Sequence, residues 1–135
     1  MDIFDKASEK GMGIIARMPL QFGLLTGKFN NSTRFSNSDH RSFRLTPEVL
    51  AQSLKDLESV WPIADKYEIG LDSFALSFIL SHLEISTVIP GIKTPEQAIA
   101  NVKNICNVSQ EDMDKLQMLY KEKFEDLLHF MREKG

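Results

Sequence analysis

Only two stretches of this chain read as strands, and they lie some seventy residues apart. "GIIARMPL" (Gly13 to Leu20) is short, largely apolar and closes on a proline. "ISTVIPG" (Ile85 to Gly91) is rich in β-branched residues and closes on Pro-Gly. Neither alternates apolar with polar, so each predicts a strand buried on both faces, as in a parallel sheet. Helical patterns fill the space between and beyond them. The order is a partial helix, a strand, a long loop, two helices, a strand and further helices, a parallel α/β pattern. Two strands cannot form a sheet covered on both faces, so the pattern asks for more strands than these 135 residues supply.

The helices carry their own boundaries. "DIFDKASEKG" puts Ile3, Phe4 and Ala7 on one face and ends at Gly11, the position of a glycine C-cap; it reads as the last turns of a helix, with Met1 inside it. Thr46, Pro47 and Glu48 open a helix in which Leu50, Leu54, Leu57 and Trp61 recur at helical spacing. Pro62 is expected to kink it and Gly70 to end it. "LDSFALSFILSHL" (71–83) is apolar enough to predict a helix buried on most sides, and Ser109 is the expected N-cap of the final helix or helix pair. Between the first strand and Thr46 runs a loop of about residues 21–45, long enough to suggest function or mobility.

Composition excludes several classes. The chain is 42% hydrophobic and 26% charged, the balance of a globular domain, with a formal net charge of -3 that offers no nucleic-acid footprint. Asp2, Asp5 and Glu9 interrupt any apolar core a signal peptide would need, and "FALSFIL" is too short to span a bilayer. The single cysteine, Cys106, permits no intramolecular disulfide and reads as a buried thiol. A cytoplasmic location is the plain expectation.

Two pieces carry chemistry. In "MPLQFGLLTGKF", Gly23 and Gly27 allow the backbone to approach a ligand or take positive φ, and Lys28 can reach a diphosphate as a point charge. The same residues also suit an ordinary turn with a solvated lysine. In "STVIPGIKTPEQAIAN", Thr94 and Gln97 form a T-x-x-Q capping box at a helix start, with Lys93 at its mouth. Oriented first-turn N–H groups beside a cation make an anion site. Gln97 and Asn101 share one helical face, so their amides can read the edge of a base. A well-capped surface helix is the plain alternative. Gln97 can close the box or face a ligand, not both fully.

Taken together, "ARMPLQFGLLTGKF", "NSDHRSFR" and "STVIPGIKTPEQAIANV" resemble the C-terminal, NADP-binding part of the aldo/keto reductases, over about Glu9 to Val108. The resemblance is closest to the bacterial branch of that family. It implies a partial (β/α)8 TIM barrel, residues 1–135 forming the C-terminal portion of one domain, with the cofactor across the C-terminal face of the strands. It implies that Pro19, Leu20, Gly23, Leu24, Gly27 and Lys28 cover the pyrophosphate of NADP(H). Gly91, Ile92 and Lys93 would take the adenosine 2′-phosphate, and Gln97 and Asn101 the adenine edge. Ala100 stands where the family often has a Glu, which removes one adenine contact. The family's catalytic Asp, Tyr, Lys and His, and its nicotinamide-stacking aromatic, belong to earlier strands than those matched. His40, His82 and His129 do not occupy those positions, and Tyr67 and Tyr120 read as packing residues with exposed hydroxyls, so no catalytic residue is assigned. His40 and Arg41 are candidates for folding over the cofactor; Trp61, Phe74 and Phe78 read as core. A complete enzyme would take a small aldehyde or ketone substrate. The alternatives are a non-catalytic nucleotide-binding or interaction remnant and an unrelated phosphate-binding α/β domain. The two open strand edges predict self-association, or complementation by further barrel units.

Overall fold

A computed structural model describes the backbone of residues 3–134. Met1, Asp2 and Gly135, the first two of which entered the reading of the opening helix, lie outside the described residues. Helix α1 (Ile3–Glu9) leads into strand β1 (Ile14–Arg17), a 3₁₀ turn (Gln21–Thr26), a short helix α2 (Arg41–Arg44), α3 (Pro47–Leu57), α4 (Trp61–Asp65) and α5 (Leu71–Leu80). Strand β2 (Ile85–Ile89), α6 (Pro95–Val102), α7 (Gln110–Leu119), a π-helical turn (Tyr120–Phe124) and α8 (Glu125–Lys134) complete the order.

The two strands pair in parallel, with Ile14 opposite Ile85 and Arg17 opposite Ile89. Both C-terminal ends therefore point the same way, and the turns that follow emerge side by side. The sheet has these two strands and no closed barrel among the described residues. Burial on both faces is not observed: Ile15 is 58% and Ile89 55% exposed. Along β1 half-buried and exposed residues alternate, and helix α5 packs against its neighbour β2. The strand is also shorter than Gly13 to Leu20. It stops at Arg17 because Met18 takes φ 54, outside the extended region.

Local signals set most helix starts. Thr46, Thr94 and Ser109 each accept a first-turn N–H with the side-chain oxygen, from Val49, Gln97 and Asp112 respectively. Helix α1 ends through Gly11, at φ 61, with Met12 N–H donating to the Ala7 carbonyl at 2.8 Å. The helix from Thr46 does not merely kink. It ends at Leu57, and Trp61 begins α4 with Pro62 in its first turn, where the missing N–H is harmless. Gly70 does not end that segment; it is the N-cap of α5, in extended conformation. The span 21–45 is less irregular than a loop, since it contains the 3₁₀ turn and α2. Helix α5 buries a central run, Ser73 to Ser77, but ends at Leu80, and α6 ends at Val102.

The core has two parts. One gathers Leu24, Leu45, Val49, Leu50, Leu57, Leu127 and Met131 beneath the 3₁₀ turn, with Trp61 packed partly buried against it. The other gathers Ile63, Ala64, Phe74, Val108 and Met113, with Phe78 against it. Ser77, fully buried within α5, is satisfied by the Cys106 N–H, which donates to its hydroxyl at 3.1 Å. Cys106 itself is half-buried rather than buried.

Candidate functional site

Directly after β1 the backbone is strained. Met18, Gln21 and Phe22 adopt φ of 54, 43 and 59, left-handed values that cost an L-residue about 1–2 kcal/mol each. Gly23 and Gly27 join them at φ 98 and 70, the conformation their lack of a Cβ permits. A Cβ on Gly23 would lie 2.9 Å from the Phe29 ring, and one on Gly27 would lie 2.6 Å from Leu71 Cδ1. Hydrogen bonds hold the winding: Gln21 N–H to Met18 carbonyl at 3.0 Å, Gly23 N–H to Leu20 carbonyl at 2.8 Å, and Thr26 hydroxyl to Gly23 carbonyl at 2.7 Å. Pro19 and Leu24 are buried, Leu20 and Gly23 half-buried, and Gly27 and Lys28 exposed. Pro19 and Leu24 thus anchor the turn while Gly27 and Lys28 face solvent.

The segment beyond is tied to itself. Arg41 chelates the Asp39 carboxylate, with Nη2 to Oδ2 at 2.6 Å, and its guanidinium lies 4.6 Å from the Phe35 ring centre. Those bonds to Arg41 hold the Asp39 carboxyl well below the ordinary range. His40 meets Phe22 edge-on at 5.7 Å, and Arg44 stands over the same ring at 5.5 Å. Of the two residues proposed to fold over a ligand, Arg41 is already committed to Asp39.

The turn after β2 is open. Gly91, Ile92, Lys93 and Gln97 are exposed and Asn101 half-buried; nothing lies within 4 Å of a Cβ built on Gly91. Yet the first turn of α6 satisfies its own donors. Pro95 has no N–H, the Gln97 N–H reaches Thr94 Oγ1 at 3.3 Å, and the Lys93 N–H donates to Gln97 Oε1 at 2.7 Å. The Glu96 carboxylate contacts its own backbone N–H and the Thr94 hydroxyl, which hold it below the ordinary range. Free first-turn amides, expected from the sequence, are therefore not available as they stand. Gln97 has closed the turn, one residue earlier than a standard capping box, and Asn101 Nδ2 points back to the Gly91 carbonyl at 3.5 Å. The cations remain: neither Lys28 nor Lys93 forms an ion pair among the described residues.

Sequence reasoning missed a polar cluster on the far helices. Tyr67 donates its hydroxyl proton to Asp112 Oδ2 at 2.8 Å and accepts the Ser109 N–H at 2.9 Å. Lys66 Nζ lies 2.5 Å from Asp112 Oδ1. Tyr67 is thus a tie between the α4 turn and α7, not a packing residue with a free hydroxyl. The local spacing Ser109-x-x-Asp112 hinted at a cap; the tyrosine, more than forty residues away, carried no local signal. Tyr120, in the π turn, is 38% exposed.

Known proteins share this chain's sequence and fold over part of their own length. The aldo/keto reductase family profile matches residues 1–121. The L-glyceraldehyde 3-phosphate reductase of Escherichia coli K12 is 30% identical over 112 residues, 79% of this chain and 32% of that protein. A putative voltage-gated potassium channel subunit beta of Schizosaccharomyces pombe is 30% identical over 126 residues, 89% of this chain and 35% of its own length. In structure, a glycerol dehydrogenase from Gluconobacter oxydans superposes with a TM-score of 0.76 at 23% identity, over 90% of this chain and 38% of that one. The chain thus spans about a third of the length of the curated relatives it matches.

Proposed function

Because this chain belongs to the aldo/keto reductase family, we propose that it forms the nucleotide-holding end of an NADP(H)-dependent oxidoreductase acting on aldehydes or ketones. The observation that carries this reading is the parallel register Arg17 to Ile89, which delivers the Met18–Lys28 turn and the Pro90–Thr94 turn to one end of the sheet. Barrel enzymes build their sites at that C-terminal end of the strands. Three non-glycine residues held at positive φ in the first turn suit a functional winding, since such strain concentrates at ligand sites.

The residues present fit such a cofactor by their donor set: two exposed ammonium groups without an ion pair among the described residues, glycine backbone, and two amide side chains on one face of α6. Pro19, Leu20, Gly23, Leu24, Gly27 and Lys28 would border the pyrophosphate, Gly91, Ile92 and Lys93 the 2′-phosphate, and Gln97 and Asn101 the adenine. The nicotinamide, when bound, supplies or accepts the hydride. This chain's share is to bind and orient the other end of the dinucleotide; no acid or base for the carbonyl is assigned among its residues. The chain by itself is accordingly proposed to be inactive, and to work in complementation with further barrel units. Cytoplasmic residence suits this reading; no helix among the described residues is long and apolar enough to cross a membrane.

Titration with NADP(H), NAD(H) and 2′-phosphoadenosine tests the proposal. Lys93→Ala should weaken the 2′-phosphorylated ligands selectively, by about 1–3 kcal/mol for a charged hydrogen bond. Equal losses for both dinucleotides would show that Lys93 does not read the phosphate. Wild-type binding that ignores the 2′-phosphate would remove NADP from the reading.

A further inference from the structure

The described residues line a partly open pocket of about 690 Å³ that shares Pro19 and Leu24 with the proposed cofactor turn and extends away from them beneath the helices. It lies between α5, the 3₁₀ turn, α3 and the helices that end the chain. Its size falls within the roughly 300–1,000 Å³ that small-molecule pockets occupy. Its wall is mostly apolar, with the rings of Phe22, Trp61, Phe74, Phe78, Tyr120 and Phe124 set among aliphatic side chains. Mostly apolar pockets with a few placed polar groups are the usual form of a small-molecule site.

Its charge is one-sided. The titratable nitrogen groups on the wall are Arg17, Arg44 and His82, and no carboxylate lines it. Arg17, at the C-terminal end of β1, has no ion-pair partner among the described residues. Arg44 has none either and rests on the Phe22 and Phe43 rings, at 5.5 and 5.7 Å. In a chain with more Asp and Glu than Lys and Arg, a largely apolar pocket whose charged wall residues are arginines favours an anion.

The end of the π turn points the same way. Tyr120 and Phe124, its first and last residues, both line the cavity. Neither proline nor glycine stands in that turn to account for it, and π turns within helices are frequent at functional sites.

We propose that this cavity binds an amphipathic monoanion, a medium-chain carboxylate, with its apolar body among the aromatic rings and its carboxylate toward Arg17 and Arg44. A neutral molecule of the same shape would gain the apolar contacts and lose the charge-assisted hydrogen bonds.

The test uses the full chain and cis-parinaric acid, whose fluorescence rises on entering an apolar site, with decanoate and decanol as competitors below their aggregation concentrations. The probe should bind, and decanoate should displace it at about tenfold lower concentration than decanol, a difference of about 1.4 kcal/mol. Arg17→Gln with Arg44→Gln should bring decanoate down to the level of decanol while leaving decanol unchanged. Ala75→Trp should fill the cavity and abolish probe binding; Ile79→Trp, less buried, serves the same end if the first variant does not melt cooperatively. No probe binding by the wild-type chain would overturn the proposal. So would equal competition by decanol and decanoate, or undiminished binding in a folded tryptophan variant. The Lys93 dependence of NADP(H) binding reports the proposed cofactor site separately, because Lys93, Gln97 and Asn101 do not line the pocket, so either reading can fail alone.

Discussion

Gln97 accepts the backbone N–H of Lys93 through its side-chain carbonyl at 2.7 Å, so the residue proposed to read adenine also fastens the residue proposed to hold the 2′-phosphate. Removing that amide should loosen the turn. For Gln97→Ala, a loss of about 0.5–1.5 kcal/mol is expected, the net value of one such bond. Faster amide exchange at Lys93, with α7 unchanged, is the signature. Exchange that rises equally in both helices would assign the loss to global stability instead.

Gly27 and Gly91 should separate folding from binding. Gly27 holds φ 70, and an added Cβ would meet Leu71 Cδ1 at 2.6 Å. Gly27→Ala should therefore destabilise the chain by at least about 1–2 kcal/mol from the left-handed backbone alone. Gly91 has nothing within 4 Å of an added Cβ and no positive φ. Gly91→Ala should leave the melting temperature unchanged and weaken nucleotide binding. A melting temperature lowered equally by both substitutions would contradict the open surroundings of Gly91.

These contrasts show which parts of the molecule sequence can express. The helix starts at Thr46, Thr94 and Ser109 were legible because a cap is a matter of three or four consecutive residues. The parallel pairing followed from two apolar segments with helices between them. The positive φ of Met18, Gln21 and Phe22 was not legible, because L-residues enter that region only when surrounding structure holds them there. Burial of the sheet was overestimated for a related reason: an apolar strand announces that it wants two covered faces, not that neighbours within reach supply them. Nor does sequence decide whether Gln97 turns inward or outward, since its amide fits both roles.

The Asp112 cluster gives a pH dependence with a definite sign. The bond from Lys66, with those from Tyr67 and Ser109, holds the Asp112 carboxyl below its ordinary value. A carboxylate lowered in the folded state contributes stability above its unfolded pKa, about 3.9, and that contribution is lost as pH falls through the folded pKa. Acid unfolding of Asp112→Asn should therefore be less steep than that of the wild type below about pH 4. Coincident acid transitions would show that the cluster does not couple to folding.

Tyr67→Phe examines the same cluster at neutral pH. The hydroxyl bridges Asp112 and the Ser109 N–H, so its removal leaves both short of a partner beside a buried carboxylate. The expected cost is about 1–3 kcal/mol, seen as a lower urea midpoint at unchanged slope. A change within about 0.5 kcal/mol would mean that water replaces the hydroxyl, as at an ordinary surface position.

Assembly is the last expectation. In a complete barrel of about 250 residues, eight strands each pair on two sides. Among the described residues β1 and β2 pair only with each other, and Ile15 and Ile89 stand 58% and 55% exposed on the sheet. Helix α6 adds Ile99 and Val102, at 64% and 76%, on its outer side. An open strand edge beside exposed apolar residues is a template for another chain. The isolated chain should therefore self-associate, with a light-scattering mass that rises with concentration. Ile15→Lys with Ile89→Lys should shift that dependence to higher concentration, because each charge would have to be buried without a partner. A concentration-independent monomer, melting cooperatively with slow exchange in both strands, would show that the two strands are content with a single partner each. The helices on one side of the sheet would then be enough to hold it.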